Sequence, residues 1–311
     1  MKRNLLIMSK MPDYFVDLAD ANFNTFKLWL QKNEDDYLNK IKNDIEAIAV
    51  FGGYKITPQL MNSMKNLKLI ACYGVGYDAI DTIAAKDLGI RVTNTPTVLN
   101  DEVADTAIAL MLCVYRQIIL ADGYARNNEW LNGEFPLTKK FSGTKLGIVG
   151  MGRIGSTIAK RAEAFNCEIL YHSRTKKNVK YRYYDNLNLL AKEVDTLCVI
   201  TPGGKDTEKI INSEVLDNLG NNGVLINVAR GSVVDEEALI YYLENKLILA
   251  AGLDVYANEP KIPKRLFDLK NTVLLPHVAS ATVETRNAMG QLVFDNIKNH
   301  FENKNLISPV V

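Results

Sequence analysis

The feature that most restricts this chain is a glycine spacing held in one context. Residues 146–165 read LGIVGMGRIGSTIAKRAEAF and set Gly150, Gly152 and Gly155 as G-x-G-x-x-G. An apolar strand-like run precedes the glycines, and a helical run with Ala159 and Ala162 follows. The spacing alone is a weak signal; between a strand and a helix it prescribes a βαβ unit in a parallel sheet. The first glycine allows a tight turn, the second lets a pyrophosphate approach the backbone, and the third lets helix and strand lie close. The helix N-terminus then faces the phosphates with unpaired N–H groups. Gly150, Met151, Gly152, Arg153, Ile154 and Gly155 therefore form a candidate dinucleotide cradle. A glycine turn in an unrelated α/β unit is the competing reading.

The rest of the chain alternates in the same way. Apolar runs NLLIMS, AIAVFGG, KLIACYG and IRVTNTP are separated by helical YFVDLADANFNTFKLWL, TPQLMNSMKN and YDAIDTIAAKDLG. Thr57 before Pro58 reads as an N-cap with proline in the first helical position, and Gly89 as a helix stop. A second series runs from the glycine turn through CEILY, VDTLCVITP, GVLINVARG, LILAAGLDVY and TVLLPHVAS, with helical SEVLDNLG and DEEALIYYLENK between. A long amphipathic helix, TVETRNAMGQLVFDNIKNHFENK, closes the chain. Strands alternating with helices imply an α/β protein with mostly parallel, doubly wound sheets. Between the two series, residues 100–122 predict one helix, capped by Asn100 with Asp101 and Glu102 in its first turn. It is apolar on nearly every face, so it is either a buried helix of a monomer or an interdomain helix contributing to a homodimer.

Composition narrows the partners. The 311 residues, 47% apolar and 23% charged, suffice for two cores. A formal net charge of +1 gives no reason to expect nucleic acid or an anionic membrane as partner. No run approaches the roughly 20 apolar residues of a membrane span. The N-terminal MKRNLLIMSKMPDYF is too briefly apolar for a signal peptide and reads as a first buried strand. Cys72, Cys113, Cys167 and Cys198 stand far apart in apolar contexts and read as buried free thiols of a cytoplasmic protein. No metal is expected, since the three histidines are widely separated.

The strand ends carry the chemistry. After CEILY, an NAD-binding unit would place an acidic residue against the ribose hydroxyl. Here Ser173, Arg174 and Thr175 occupy the turn, with Lys176 and Lys177 behind. These residues suit an additional phosphate dianion, so NADP(H) is the expected cofactor, with NAD(H) second and Arg174 the main 2′-phosphate contact. Exposed basic residues without a ligand are the alternative. Three later strand ends offer Arg230, then Asp254 and Glu259, then His277. Ligands of an open parallel sheet bind beyond its carboxyl ends, so these residues can meet in one cleft. His277 taken alone fits a core filler, a metal ligand or a proton carrier.

Together the motifs YGVGYDAID, TNTPTVLNDEVADTAIALML, FSGTKLGIVGMGRIG, INVARGSVVDEEAL, AGLDVYANEP, LLPHVASATVETR and SPVV resemble the D-isomer-specific 2-hydroxyacid dehydrogenases. The resemblance covers nearly the whole chain and lies nearest the glyoxylate/hydroxypyruvate and hydroxyphenylpyruvate reductase branch. It implies two Rossmann-like domains: a cofactor domain, residues 97–283, inserted into a split, flavodoxin-like substrate domain, residues 1–96 and 284–311. The family's catalytic residues fall on Arg230, Glu259 and His277. Further cofactor contacts fall on Thr201, Pro202, Thr207, Val228, Ala229, Asp254 and Ala279. The backbone amides of Val75 and Gly76 correspond to the family's substrate-carboxylate turn, with Arg230 and His277 on the same substrate. Gly53, in the turn Gly52 to Tyr54, either walls that pocket or only ends a strand. Trp130 either reaches a partner subunit's substrate site or packs the linker.

The implied reaction needs these residue types. Reducing a 2-keto acid moves a hydride to a carbonyl carbon, and the oxygen must gain a proton. An imidazolium is a suited donor near neutral pH, and a neighbouring carboxylate favours its charged form. Arginine can hold the substrate carboxylate and polarise the carbonyl with its planar fork. Two other readings compete: a nucleotide-binding corepressor or scaffold without turnover, and a formate dehydrogenase-like enzyme, whose chemistry needs no proton donor. Two departures from the family stand out. Gly203 and Gly204 in ITPGGKDT are expected to loosen that loop, and Ala279 to narrow the space beside the nicotinamide.

Overall fold

The structure, a computed structural model, describes residues 2–311. The chain forms two compact units, one from Met1–Leu99 with Thr282–Val311, the other from Asn100–Ala281. The first contains β1 (Asn4–Ile7), α1 (Asp13–Asn22), β2 (Asn24–Lys27), α2 (Glu34–Ile41), β3 (Ala47–Phe51), α3 (Pro58–Ser63), β4 (Leu69–Tyr73), α4 (Thr82–Asp87) and β5 (Arg91–Thr93). Its strands are all parallel, in the order β2-β1-β3-β4-β5. The central strands β3 and β4 are apolar along their length because both faces are covered. Side chains close the helix starts: Thr57 accepts from the Leu60 amide and Asp81 from the Ala84 amide.

The stretch YFVDLADANFNTFKLWL is not one helix. α1 stops at Asn22, and the next residues form the edge strand β2. Phe23, between them, turns inward against Phe294 and Phe301, with ring centroids 5.7 and 5.6 Å away. That inward turn, not a helical stripe, explains the apolar residue there.

The second unit contains α5 (Asn100–Arg116), α6 (Ile118–Arg126), β6 (Lys145–Val149), α7 (Arg153–Glu163), β7 (Glu168–His172), β8 (Arg182–Tyr184), α8 (Leu187–Glu193), β9 (Thr196–Val199), α9 (Ser213–Leu219), β10 (Val224–Asn227), α10 (Glu236–Glu244), β11 (Ala250–Leu253) and β12 (Thr272–Leu274). The chain returns to the first unit in α11 (Val283–Phe301). Seven parallel strands run in the order β12-β11-β10-β9-β6-β7-β8. The winding direction reverses between β6 and β9, which places a switch-point crevice beside the glycine turn. β8 was not among the expected strands. Its sequence, RYY at an edge, has no buried residue and so no apolar run to reveal it.

The expected helix over 100–122 is two helices. Gln117 adopts a left-handed conformation, φ 48°, and α5 and α6 diverge by 61°. α5 buries Val103, Ala107, Leu110 and Met111. Arg161 of α7 holds its exposed side through Asp101 and Asp105, at 2.9 and 2.5 Å. α6 buries nothing, and Ile118, Ile119 and Leu120 are exposed. Trp130 is 71% exposed, which overturns its reading as linker packing. Among the described residues no single helix is long and apolar enough to cross a membrane. All four cysteines are free; Cys113 is only half-buried, unlike the other three.

Candidate active site

The glycine turn sits at the carboxyl end of β6. Gly150 has φ 109°, and a side chain there would come within 2.8 Å of the Thr201 amide nitrogen. At Gly155 a Cβ would lie 2.3 Å from the Gly150 carbonyl oxygen, so only glycine lets α7 approach the turn. Gly152 caps α7, and open space surrounds its Cα hydrogens. The turn therefore fits a pyrophosphate: tight on the protein side and empty on the other. Met151 is buried, and its sulfur accepts from Ser156 Oγ at 3.6 Å, so only its backbone faces that space. Arg153 is exposed and Ile154 half-buried.

At the end of β7, Ser173 Oγ donates to the Thr175 carbonyl at 2.7 Å and shapes the next turn. Arg174, Thr175, Lys176 and Lys177 are exposed, and no carboxylate stands in the turn. After β9, Thr207 Oγ1 donates to the Pro202 carbonyl at 2.7 Å and its amide to the Gly204 carbonyl at 3.1 Å. These bonds tie the loop that two glycines were expected to loosen, and they keep Thr201 and Pro202 at the strand end. After β10, Val228 and Ala229 are buried. The buried Asn227 takes the Ala229 amide at 3.1 Å and donates to the Arg230 carbonyl at 3.0 Å. Asn227 thus sets the turn that presents Arg230, a role the sequence reading missed.

Glu259 and His277 meet. His277 Nδ1 lies 2.6 Å from Glu259 Oε2, and Glu259 Oε1 accepts from the Tyr256 amide at 3.0 Å. Burial pushes the Glu259 carboxyl up. The His277 contact, the Tyr256 amide and the charges of His277 and Arg230 outweigh it and hold the group below the usual glutamate range. The Arg230 loop is packed on the same segment: a Cβ at Gly231 would fall 1.8 Å from the Tyr256 carbonyl carbon. His277 itself sits at φ 55°, an uncommon conformation for a residue with a side chain. Asp254 holds it there. The Asp254 carbonyl takes the His277 amide at 2.9 Å, and its carboxylate takes the Val278 and Ala279 amides at 2.7 and 3.0 Å. Asp254 is 1% exposed; burial raises its carboxyl above the usual range, opposed by those two amides. The Asp254 carboxylate and carbonyl serve the histidine loop, while its amide donates to the Asn227 carbonyl at 3.0 Å.

In the first unit, two turns follow β3 and β4. A Cβ at Gly52 would lie 2.4 Å from the Gly76 carbonyl, so the turns touch backbone to backbone. The Gly74 carbonyl accepts from the Thr95 amide and the Val75 carbonyl from Asn94 Nδ2, both at 2.9 Å. Among the described residues no backbone carbonyl takes the Val75 or Gly76 amide. Gly53 has open space about it. The sequence reading also missed Arg286. Its guanidinium lies 5.9 Å from the Phe51 ring centroid and 6.0 Å from that of Tyr73, the last residues of β3 and β4. Tyr73 Oη donates to the Arg286 carbonyl at 2.5 Å and fixes the start of α11. Burial pushes the Tyr73 phenol up to about 12, against the opposing charge of Arg286.

A glycine cradle at a switch point and a carboxylate-held imidazole at the carboxyl ends of one parallel sheet define an α/β dinucleotide-dependent oxidoreductase. Known proteins agree. Residues 108–279 match the family described as D-isomer specific 2-hydroxyacid dehydrogenase, NAD binding domain. The chain is 45% identical to glyoxylate/hydroxypyruvate reductase A HPR2 of Arabidopsis thaliana over 308 residues, covering 99% of this chain and 98% of the relative. It is also 45% identical over 308 residues to hydroxyphenylpyruvate reductase of Plectranthus scutellarioides, with the same coverage. A crystal structure of an NADPH-dependent glyoxylate/hydroxypyruvate reductase from Sinorhizobium meliloti, in complex with NADP and malonate, matches with TM-score 0.93 at 42% identity. That match covers 100% of this chain and 97% of the other. The chain belongs to the D-isomer-specific 2-hydroxyacid dehydrogenase family and is an NAD(P)-dependent oxidoreductase.

Proposed function

We propose that this enzyme reduces glyoxylate, hydroxypyruvate or a related small 2-keto acid to the D-2-hydroxy acid, with NADPH preferred over NADH. The Glu259–His277 contact at 2.6 Å carries the reading, because it is what a proton donor at a reduced carbonyl needs. Gly150, Gly152 and the first turn of α7 would hold the pyrophosphate. Ser173, Arg174 and Thr175 would hold the 2′-phosphate. Thr201, Pro202, Val228, Ala229 and Ala279 would line the nicotinamide end. Bound there, the nicotinamide supplies the hydride. His277 gives its proton to the substrate oxygen as the carbon gains hydrogen, and Glu259 stabilises the imidazolium until then. Arg230 holds the substrate carboxylate and polarises the carbonyl. The Val75 and Gly76 amides would bind a substrate carboxylate, and Arg286 adds positive charge at the ends of β3 and β4.

In this reading residues 1–96 and 284–311 form the substrate domain and residues 97–283 the cofactor domain. The apolar surface of α6 and Trp130 supports a homodimer, and the free thiols support a cytoplasmic setting. The test is initial-rate kinetics with NADPH and NADH against glyoxylate, hydroxypyruvate, pyruvate and hydroxyphenylpyruvate. NADPH-linked turnover of at least one acid, with higher kcat/KM than for NADH, is expected. Cofactor binding without turnover of any of them would favour a nucleotide-sensing protein.

A further inference from the structure

One cavity of the first unit lies apart from every residue assigned above. It measures about 320 Å³ and is lined chiefly by Lys2, Arg3, Phe23, Lys298, Phe301 and Glu302. Lys2 and Arg3 precede β1, Phe23 precedes β2, and the other three lie at the end of α11. The cavity is therefore at the amino edge of the sheet. Gly53, Val75 and Gly76 follow β3 and β4 at the carboxyl edge, one strand length away, roughly 15 Å.

Three cations line this cavity against one carboxylate. Glu302 is already engaged by Lys304 at 2.6 Å. Lys2 Nζ donates once, to the Asp20 carbonyl at 2.8 Å, and keeps further donors. Arg3 meets Glu46 at 2.7 Å, and its guanidinium lies 5.7 Å from the Phe301 ring centroid. Lys298 is exposed and stands outside every ion pair of the described residues. Phe23 and Phe301, tilted against each other, add an apolar wall. His300 is half-buried with an Arg91 nitrogen against its Nδ1. Burial first, then the Arg91 and Arg3 charges, push its imidazole down to about 4 despite Glu46, so it stays neutral near pH 7.

We propose that this cavity is a second ligand site, built for a small aromatic anion such as an aryl carboxylate or aryl phosphate. The anionic group meets Lys2, Arg3 and Lys298, and the ring lies on Phe301. The probe is phenyl phosphate, titrated by calorimetry into the enzyme in excess NADP+, which fills the cofactor's own phosphate sites. Saturable binding is expected, at least tenfold weaker in Lys298→Glu. Phe301→Leu is expected to weaken phenyl phosphate while leaving inorganic phosphate unchanged. Reductase kcat/KM should stay within twofold of wild type in Lys298→Glu. Absence of saturable binding, or equal affinity in wild type and Lys298→Glu, would overturn the proposal. Binding that survives only when NADP+ is omitted would also overturn it, by placing the probe in the cofactor site.

Discussion

Replacing Glu259 by glutamine removes one charge and leaves the surrounding framework in place. The amide oxygen of glutamine can still accept from the Tyr256 amide, now 3.0 Å from Glu259 Oε1. What is lost is the attraction between the carboxylate and a protonated His277. Two unit charges about 4 Å apart attract by about 4 kcal/mol at an effective dielectric near 20. The side chains here are 46% and 34% exposed, so water and salt reduce the interaction to about 1 kcal/mol. The assay is the pH dependence of kcat/KM for NADPH-linked hydroxypyruvate reduction. In Glu259→Gln the alkaline limb, where the proton donor is lost, should move to lower pH. A folded variant with an unmoved limb would refute the pairing argument.

Three further outcomes follow from other parts of the molecule. Arg174→Ala would remove the proposed charged hydrogen bond to the 2′-phosphate, worth about 1.5–3 kcal/mol, so KM for NADPH should rise about ten- to a hundredfold while KM for NADH stays constant; equal effects on both would end the 2′-phosphate assignment. His300 has a folded value near 4, below its ordinary 6.5. Unfolding therefore takes up a proton in that window: the stability contribution is complete above pH 6.5 and is lost as pH falls toward 4. His300→Phe should flatten that dependence in urea melts taken at successive pH values, and an unchanged slope would place the titration elsewhere. Ile119→Asp combined with Leu131→Asp, at positions 60% and 86% exposed, should shift sedimentation from dimer to monomer, whereas a wild type already monomeric would remove the basis for the dimer.

The parts legible in the sequence were those where burial and chemistry point the same way. The central strands, buried on both faces, announce themselves as apolar runs, and the helix start at Thr57 carries its cap in the letters. The edge strands β2 and β8 did not, because an edge strand is only partly covered and keeps neither a run nor an alternation. Gln117 gave no warning of a break, since a left-handed glutamine is set by what the chain does on either side rather than by its own propensity. The site residues at strand ends were named because their motifs are long. Asn227 and Asp254 act through backbone amides of their neighbours, and Arg286 through two aromatic faces distant in sequence. Such roles depend on the fold and leave no local spacing to read.

The central proposal is that His277, held at φ 55° by Asp254 and paired with Glu259, delivers the proton to the reduced carbonyl. Single-turnover oxidation of NADPH by hydroxypyruvate, compared between wild type and His277→Asn, addresses it without interference from product release. The rate constant should fall by about 10²–10⁴, with NADPH affinity within a few-fold of wild type. An unchanged rate constant in the variant would contradict the assignment and move the proton source to another group.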